Sequence, residues 1–364
     1  MRILKTLVWP VAVVVLFVPL VTQAAEYYNF YNGARGLGMG GCQVAMVNDE
    51  TALLINPAAL GKLRDYFVTV ADPEIHMGSD AQGIIGTNIL LPLDPQKVLT
   101  KMLVPSNEKD HLHSGVQVFP SAVFPNFGIG VFGNHFVNAE VDTTNSLFTY
   151  NYRSDIALVF GFDFRLWDGR VKLGFNVRMM NRNEILRDDI PTASTGLTIE
   201  SLAKEGVGIG SDVGLILAAP WKWLPTLAAV YRDVGDTYYN IKDKGLINYI
   251  STHPDPTMGD VDVGFSIYPI LGHSTRTTIS IEYDGVLTAS AEQDKSKRIH
   301  AGMEFNFSDA VFLRLGMNQR YWTAGLEFAV ANYQLQLSSY GEEIGTATVH
   351  REDRRTVVKF AYRF

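Results

Sequence analysis

Hydrophobic and polar side chains alternate, with a period of two residues, along several stretches of this chain. In residues 171–182 the apolar face carries Val171, Leu173, Phe175, Val177 and Met179, and the polar face carries Lys172, Gly174, Asn176, Arg178 and Arg182. The same alternation recurs in residues 277–284, 299–307 and 358–364. A period of two predicts β-strands with one apolar and one polar face. Transmembrane barrels and one-sided soluble sheets both have strands of this kind.

The strand of a membrane barrel has about ten alternating residues between turns, and this template fits about fourteen segments of the chain. The segments begin near residues 64, 115, 126, 147, 170, 207, 224, 259, 274, 297, 310, 320, 332 and 354. The sequence therefore predicts about fourteen strands that are distributed over almost its whole length.

The connections between these strands are alternately short and long. Short joints lie at Pro125 and at residues 167–169, 220–223, 270–273, 308–309 and 331–332. Long stretches cover residues 78–114, 139–146, 184–206, 233–258, 285–296 and 341–353, and only residues 318–320 break the order. Bacterial barrels join strands by short periplasmic turns and longer extracellular loops, whereas a soluble sandwich offers no reason for this alternation. We therefore predict an all-β fold, a transmembrane antiparallel β-barrel of about 14 strands formed by residues 64–364.

The first 25 residues have the order of a secretory signal peptide. Arg2 and Lys5 precede an apolar run from Leu7 to Val21, and small residues follow at Ala24 and Ala25. A membrane anchor is the alternative, but prolines at positions 10 and 19 interrupt a run that is already short for a helical span. We expect export, with cleavage near Ala24 or Ala25, to the cell outer membrane.

Composition and charge exclude several classes of protein. With 47% hydrophobic residues the chain is too apolar to be disordered. Its single cysteine, Cys42, excludes an intramolecular disulfide. The formal net charge of −7, without clustered lysine and arginine, argues against nucleic acid as a partner.

Residues 26–63, ahead of the first strand, do not alternate and contain two short motifs. The first is rich in glycine, with Gly36, Gly38, Gly40 and Gly41, and the second is Asn56-Pro57-Ala58. The glycines formally satisfy G-x-G-x-x-G. A dinucleotide site also needs a preceding buried strand and a following helix, and neither is evident here.

These motifs resemble the N-terminal region of the FadL-like family of hydrophobic-compound transporters, in which a Gly-rich stretch is followed by an Asn-Pro-Ala motif. PorV-like barrels of secretion systems and conjugation-associated barrels have similar motifs. The resemblance implies that residues 26–63 are a hatch or plug inside the barrel, with the glycines and Asn56-Pro57-Ala58 as gate candidates. It also implies passage of a hydrophobic ligand. A plug that merely closes the lumen is the alternative.

The predicted inward faces carry charges of both signs, each of which would cost up to about 2–4 kcal/mol in a lipid-facing position. They are Lys172, Arg178, Glu282, Glu304, Arg314 and Glu327. Paired charges of this kind brace a plug more often than they form an ion filter. We find no nucleophile motif, no metal-specific spacing and no cofactor motif, so we predict neither an enzyme nor a metal or cofactor site. Two loop clusters, His111 with His113 and His253 with Asp255, Asp260 and Asp262, are expected to be solvated.

The chain ends with Phe360, Tyr362 and Phe364, which resemble the assembly signal of outer-membrane barrels. The expected partners are therefore outer-membrane lipid, the barrel-assembly machinery and a small hydrophobic molecule. The leading hypothesis is outer-membrane transport of small hydrophobic, fatty-acid-like compounds through a plugged barrel. The alternative is a secretion- or conjugation-associated barrel that binds an envelope protein partner and transports no small molecule.

Overall fold

The computed structural model describes residues 29–85, 94–104, 111–272, 275–290, 294–346 and 348–364. The predicted signal peptide and its cleavage site lie outside the described residues. Among the residues that are described, no helix combines the length and the apolar composition that are needed to span a membrane.

Sixteen antiparallel strand segments form one sheet that closes on itself, because β1 pairs with β16 and β5 with β6. They are β1 (Phe67–Ala71), β2 (Glu74–Gly78), β3 (His111–Val118), β4 (Ser121–Phe124), β5 (Phe127–Asp142), β6 (Leu147–Leu166), β7 (Val171–Pro191), β8 (Lys204–Ala218), β9 (Thr226–Arg232), β10 (Asp260–Ile267), β11 (Thr275–Tyr283), β12 (Ile299–Phe307), β13 (Val311–Asn318), β14 (Tyr321–Val330), β15 (Tyr333–Glu343) and β16 (Glu352–Arg363). The helices are α1 (Ala34–Gly38), α2 (Ala52–Ile55), α3 (Ala81–Ile85), α4 (Pro95–Met102) and α5 (Ile199–Leu202), with 3₁₀ turns at Pro57–Lys62 and Lys295–Arg298.

Two of the barrel strands are interrupted, so that the sixteen segments make fourteen spanning strands. Pro73 separates β1 from β2, and Pro120 separates β3 from β4, because proline has no N–H to donate to the sheet. The carboxylate of Asp72 accepts a hydrogen bond from the Phe119 N–H at 2.5 Å and bridges the two interruptions. The closed antiparallel barrel of fourteen strands confirms the predicted architecture.

The observed strands begin within four residues of their predicted starts, and the short joints lie where they were expected. We call the end of the barrel with these joints the short-turn rim and the opposite end the long-loop rim. Two predicted long connections are shorter than expected. About half of residues 139–146 and about half of residues 184–206 are strand, because β5 extends to Asp142, β7 extends to Pro191 and β8 begins at Lys204.

The outer face of these extended strands is covered by helices near the long-loop rim. Val98 and Leu99 of α4 join a buried apolar cluster with Leu112, Val137 and Phe148, which are on the outer sides of β3, β5 and β6. Protein therefore takes the place of lipid at this height. The outward positions stay apolar there, as at Val137 and Val141 of β5, because they pack in this cluster with the helices.

The barrel is apolar outside and polar inside, the reverse of a soluble domain. On β6 the outward Phe160 and Phe162 are exposed, whereas the intervening Gly161 is buried. Arg314 and Arg355 are the largest side chains that are almost fully buried among the described residues. An apolar exterior of this kind is typical of barrels that stand in lipid.

Candidate functional site

Residues 29–63, which we call the N-terminal segment, lie against the inner face of the barrel wall. Helix α1 contacts β13, β14, β15 and β16, while the 3₁₀ turn at Pro57–Lys62 contacts β6, β7 and β8. These two groups of strands lie in different parts of the barrel wall. The segment therefore crosses the lumen from one part of the wall to another.

The glycine-rich motif packs against glycines of the barrel wall. Gly40 has a φ of 71°, in the left-handed region that favours glycine. A methyl group on Gly40 would lie 2.4 Å from the carbonyl oxygen of Ala301, and one on Gly302 would lie 2.1 Å from that of Met39. Gly38 lies similarly close to Ser338 and Gly325. The segment and the wall thus approach at a distance that excludes side chains.

The other two glycines of the motif have neighbours of their own. Gly36 is packed against the side chain of Gln43, and its carbonyl accepts a hydrogen bond from the Gly41 N–H at 2.8 Å. Gly41 has a φ of 92° and lies against the ring of His300. His300 Nδ1 in turn lies 2.9 Å from the Gly40 carbonyl oxygen. These contacts hold the turn that follows α1.

The Asn56-Pro57-Ala58 motif forms the second close contact with the wall. Asn56 Oδ1 accepts a hydrogen bond from the Ala58 N–H at 3.1 Å, and Asn56 Nδ2 donates to the Val44 carbonyl at 3.0 Å. A methyl group on Gly214 would lie 2.0 Å from Asn56 Oδ1, and one on Gly174 would lie 2.2 Å from the Pro57 carbonyl carbon. Asn56 therefore caps the 3₁₀ turn and ties it to an earlier part of the segment.

A chain of charges connects the N-terminal segment to β12, β13 and β14. Arg35 forms ion pairs with Asp49 and Glu304, both at 2.8 Å, and Arg314 contacts Glu304 at 2.7 Å and also Glu327. Burial raises the pKa of Asp49, but the Arg35 guanidinium and the hydrogen bond from the Thr51 hydroxyl together outweigh it and lower that pKa from 3.8 to about 2. The predicted lumen residues Glu304, Arg314 and Glu327 thus lie in one network with the segment.

The remaining predicted lumen charges are also buried inside the barrel. The Glu282 carboxylate accepts hydrogen bonds from the Gln43 and Val44 N–H groups at 2.8 and 2.7 Å. Arg178 pairs with Asp212 and Asp233, and its guanidinium lies 4.8 Å from the centre of the Phe30 ring. Lys172 donates to the Gly169 carbonyl at the short-turn rim. Both Glu282 and Arg178 therefore contact the segment directly.

A cavity of about 370 Å³ lies between the N-terminal segment and the strands that lead to the long-loop rim. Its volume is within the usual range for small-molecule sites. The lining residues come from the segment and from β2, β3, β5, β6, β7, β15 and β16. The polar ones include His111, His113, Asn138, Thr149, Asn151 and Arg153, and the apolar ones include Phe30, Phe136, Tyr152, Leu186, Tyr340 and Ile344.

The strand register brings part of this lining together as a row across the wall. His113 is paired with Asn138, Asn138 with Asn151, and Asn151 with Leu186. His113 Nδ1 lies 2.6 Å from Asn138 Oδ1, and the His113 ring is stacked on Phe136. The row therefore places polar groups beside an aromatic surface.

Sequence reasoning assigned His111 and His113 to a solvated loop, and this was wrong. Both belong to β3 and line the cavity. The strand had been predicted to begin near residue 115, because the apolar alternation starts only there. His111 and His113, which continue the spacing of Gly115 and Gln117, were the signal that would have extended the strand to residue 111.

The second expected loop cluster is also dispersed. Asp260 and Asp262 are buried in β10, where Asp262 pairs with Arg232, and Asp255 pairs with Lys204. A different group of potential metal ligands, Asp294, Glu343 and His350, lies near the long-loop rim. Arg320 contacts both of its carboxylates, at 2.5 and 3.3 Å. The Arg320 guanidinium already compensates the two carboxylates, which argues for an ion-pair network and against a metal site.

The chain terminus closes the barrel at the short-turn rim. The Phe364 N–H donates to the Val68 carbonyl at 2.9 Å, and the Val68 N–H donates back to Phe364 at 3.1 Å. The rings of Tyr362 and Phe364 are 5.0 Å apart, and Phe360 and Phe364 are exposed on the outer surface. The predicted assembly residues are thus at the seam between β1 and β16.

No protein-family model and no curated protein matches the chain. Solved structures do match. The toluene transporter TodX of Pseudomonas putida is 12% identical, with a TM-score of 0.55 over 94% of this chain and 99% of that one. The toluene transporter TbuX of Ralstonia pickettii is 14% identical, with a TM-score of 0.51 over 92% and 98%. The CymD monoaromatic hydrocarbon channel is 10% identical, with a TM-score of 0.52 over 91% and 97%.

Identities this low establish a common fold, and the coverage shows that it extends over nearly the whole length of both chains. The resemblance indicated by the glycine-rich and Asn56-Pro57-Ala58 motifs is confirmed at this level. The chain has the barrel fold of the FadL-family hydrocarbon channels.

Proposed function

We propose that this protein transports small hydrophobic compounds across the outer membrane. The observation that carries the proposal is a barrel with an apolar outer surface whose lumen is crossed by the N-terminal segment, in a fold shared with proteins described as toluene transporters. The same relatives are channels, which agrees with the prediction of a non-enzyme. An outer-membrane location, export by the predicted signal peptide and insertion by the barrel-assembly machinery belong to this proposal.

In the proposed mechanism the N-terminal segment is a hatch. A compound reaches the cavity from the long-loop rim, and the segment must shift before the compound can continue to the short-turn rim. The many direct contacts, from Gly40 at one part of the wall to Asn56 at another, support a closed resting state. The fatty-acid-like nature of the compound stays a prediction.

Reconstitution in liposomes that contain lipopolysaccharide tests this function, because plain phospholipid bilayers already let toluene through rapidly. The mature protein should accelerate the entry of toluene relative to empty liposomes, and a variant that lacks residues 27–60 should change the rate while still forming a heat-resistant barrel on gels. An unchanged rate in the deletion variant would contradict the hatch. No acceleration by the intact protein, together with stable co-purification of an envelope protein, would favour the alternative of a partner-binding barrel.

A further inference from the structure

The walls of the lumen cavity carry hydrogen-bonding groups that the protein itself does not satisfy. The side-chain amide of Asn151 and the hydroxyl of Thr149 line the cavity on β6 and are partly exposed. Neither has a side-chain hydrogen-bond partner within the described part of the chain. Both therefore remain available to a bound molecule. A pure hydrocarbon could not form hydrogen bonds with them, and its binding would bury them without a partner at a cost in free energy.

An aromatic surface lies beside these polar groups. Phe136 lines the cavity from the neighbouring strand, with its ring over Gly115 and against the rings of His76 and His113. Phe30 reaches the same cavity from the N-terminal segment. A ligand with an apolar body can bury it against Phe136 and Phe30 while a polar group meets Asn151.

The charged side chains of the lining are compensated by charges of opposite sign. Arg153 contacts Glu184 at 3.2 Å, and Glu140 contacts Arg351 at 2.5 Å. Arg355 contacts Asp353 at 2.6 Å. A carboxylate ligand would have to compete with these pairs in a partly desolvated space, whereas a neutral ligand leaves them intact.

We propose that the cavity binds a small neutral compound with an apolar, ring-sized body and at least one hydrogen-bonding group, such as an aromatic alcohol. This inference rests on the proposed function, since the ligand is the compound that is transported, and it specifies that compound further. The hydrogen-bonding group is held by Asn151 and Thr149, and the apolar body lies against Phe136. The site discriminates against hydrocarbons and carboxylates of the same size.

Three probes of one ring size test the proposal: benzyl alcohol, toluene and benzoate. Equilibrium dialysis against the full-length mature protein in detergent, with protein-free micelles as the blank, gives the affinity for each. One hydrogen bond contributes about 0.5–1.5 kcal/mol, so benzyl alcohol should bind up to about tenfold more tightly than toluene. Benzoate should bind more weakly than benzyl alcohol. A preference for toluene or benzoate would overturn the proposal.

Substitution of Asn151 identifies the group responsible. Asn151→Leu should remove most of the preference for benzyl alcohol and leave toluene binding unchanged, and Asn151→Gln should keep the preference. Asn248 serves as the control, because it is also partly exposed and lies outside the cavity lining. Asn248→Leu should behave like the wild type. The Asn151 substitutions break no side-chain hydrogen bond within the described protein, so the barrel should fold normally.

The outcomes separate this proposal from the transport function. If the protein accelerates toluene entry into liposomes but Asn151→Leu keeps the wild-type preference, the inference is wrong and the transport function stands. If benzyl alcohol binds in an Asn151-dependent manner but no compound enters liposomes, the binding site stands and the transport function is wrong. If benzyl alcohol is not preferred at all, ordered water alone satisfies Asn151, and the inference fails.

Discussion

Gly316 of the barrel wall and Gly40 of the N-terminal segment are in backbone contact, so that a methyl group on Gly316 would lie 2.6 Å from the Gly40 nitrogen. The contact joins residues far apart in the chain. No side chain other than hydrogen fits between them, because heavy atoms at that separation overlap. The position of the segment therefore depends on glycine at residue 316.

Replacement of Gly316 by alanine should displace the segment and open the lumen to ions. We expect a higher single-channel conductance in planar bilayers than for the wild type. Gly133→Ala is the matched control, since its methyl group would meet only Val118 at an ordinary 3.5 Å. Equal conductance of the Gly316→Ala variant and the wild type would show that this contact does not keep the lumen closed.

Asn56→Ala should loosen the 3₁₀ turn of the segment. The substitution removes two hydrogen bonds at a fully buried position: the one that the Ala58 N–H donates to Asn56 Oδ1, and the one that Asn56 Nδ2 donates to the Val44 carbonyl. Leaving buried partners unsatisfied costs about 1–3 kcal/mol. Hydrogen exchange followed by mass spectrometry should become faster in residues 52–63 and stay unchanged in the strands. Asn145→Ala, in an exposed loop, serves as the control.

Arg35→Met should weaken the attachment of the segment to β12. It leaves Asp49 and the buried Glu304 without one of their cations, although Glu304 keeps Arg314. Breaking a buried pair by removing one partner costs about 3 kcal/mol. Limited proteolysis should cut the segment faster than in the wild type. Arg187→Met, which breaks an exposed pair with Asp189, should have no such effect.

The same ion pair makes the segment sensitive to acid. Burial raises the pKa of Asp49, but the Arg35 guanidinium and the Thr51 hydrogen bond together lower it from 3.8 to about 2. A carboxyl with a lowered pKa stabilises the folded state above its ordinary pKa, and this stabilisation is lost as pH falls through the lowered value. Above about pH 4 the N-terminal segment should therefore resist proteolysis better in the wild type than in Asp49→Asn. This difference in resistance should vanish towards pH 2.

Pepsin digestion between pH 2 and 5 measures this difference directly. Burial and the charge of Asp49 both raise the pKa of the neighbouring Glu50. The effect of burial is the same in the wild type and in Asp49→Asn and cancels in the comparison, whereas the effect of the Asp49 charge is part of the measured difference. A difference between the wild type and Asp49→Asn that stays constant over the whole range would contradict the assignment.

Removal of Phe364 should slow insertion into the membrane. The residue contributes two backbone hydrogen bonds with Val68 and an aromatic contact with Tyr362 at the seam of the barrel. The yield of heat-resistant barrel in a time course of assembly should fall, while Phe328→Ala, which changes another exposed aromatic residue, should assemble at the normal rate. Equal rates for both variants would argue against an assembly signal.

The fold was predictable because two solvents act on opposite faces of each strand. On β7 lipid requires apolar residues such as Val177 and Met179, and the lumen admits Asn176 and Arg178, so that the sequence alternates. Near the long-loop rim residues 180–185 of β7 are all buried, so the alternation ends before the strand does.

The site was less predictable, since it depends on the register between strands. The motifs around Gly40 and Asn56 could be recognised, but not their partners Gly316 and Gly214, which only the closure of the barrel brings near. In the same way, the row from His113 to Asn151 exists only because β3, β5 and β6 are paired in one particular register.

The pairing of β1 with β16 also constrains the order of folding. Val68 and Phe364 are separated by nearly the whole barrel sequence, and contacts between residues so far apart in the chain are the kind that slow folding. Until this contact forms, the sheet has two unpaired edges that can pair with other chains. Since the N-terminal segment directly precedes β1 and lies against the inner face of the wall, closure of the seam between β1 and β16 also encloses the segment in the lumen.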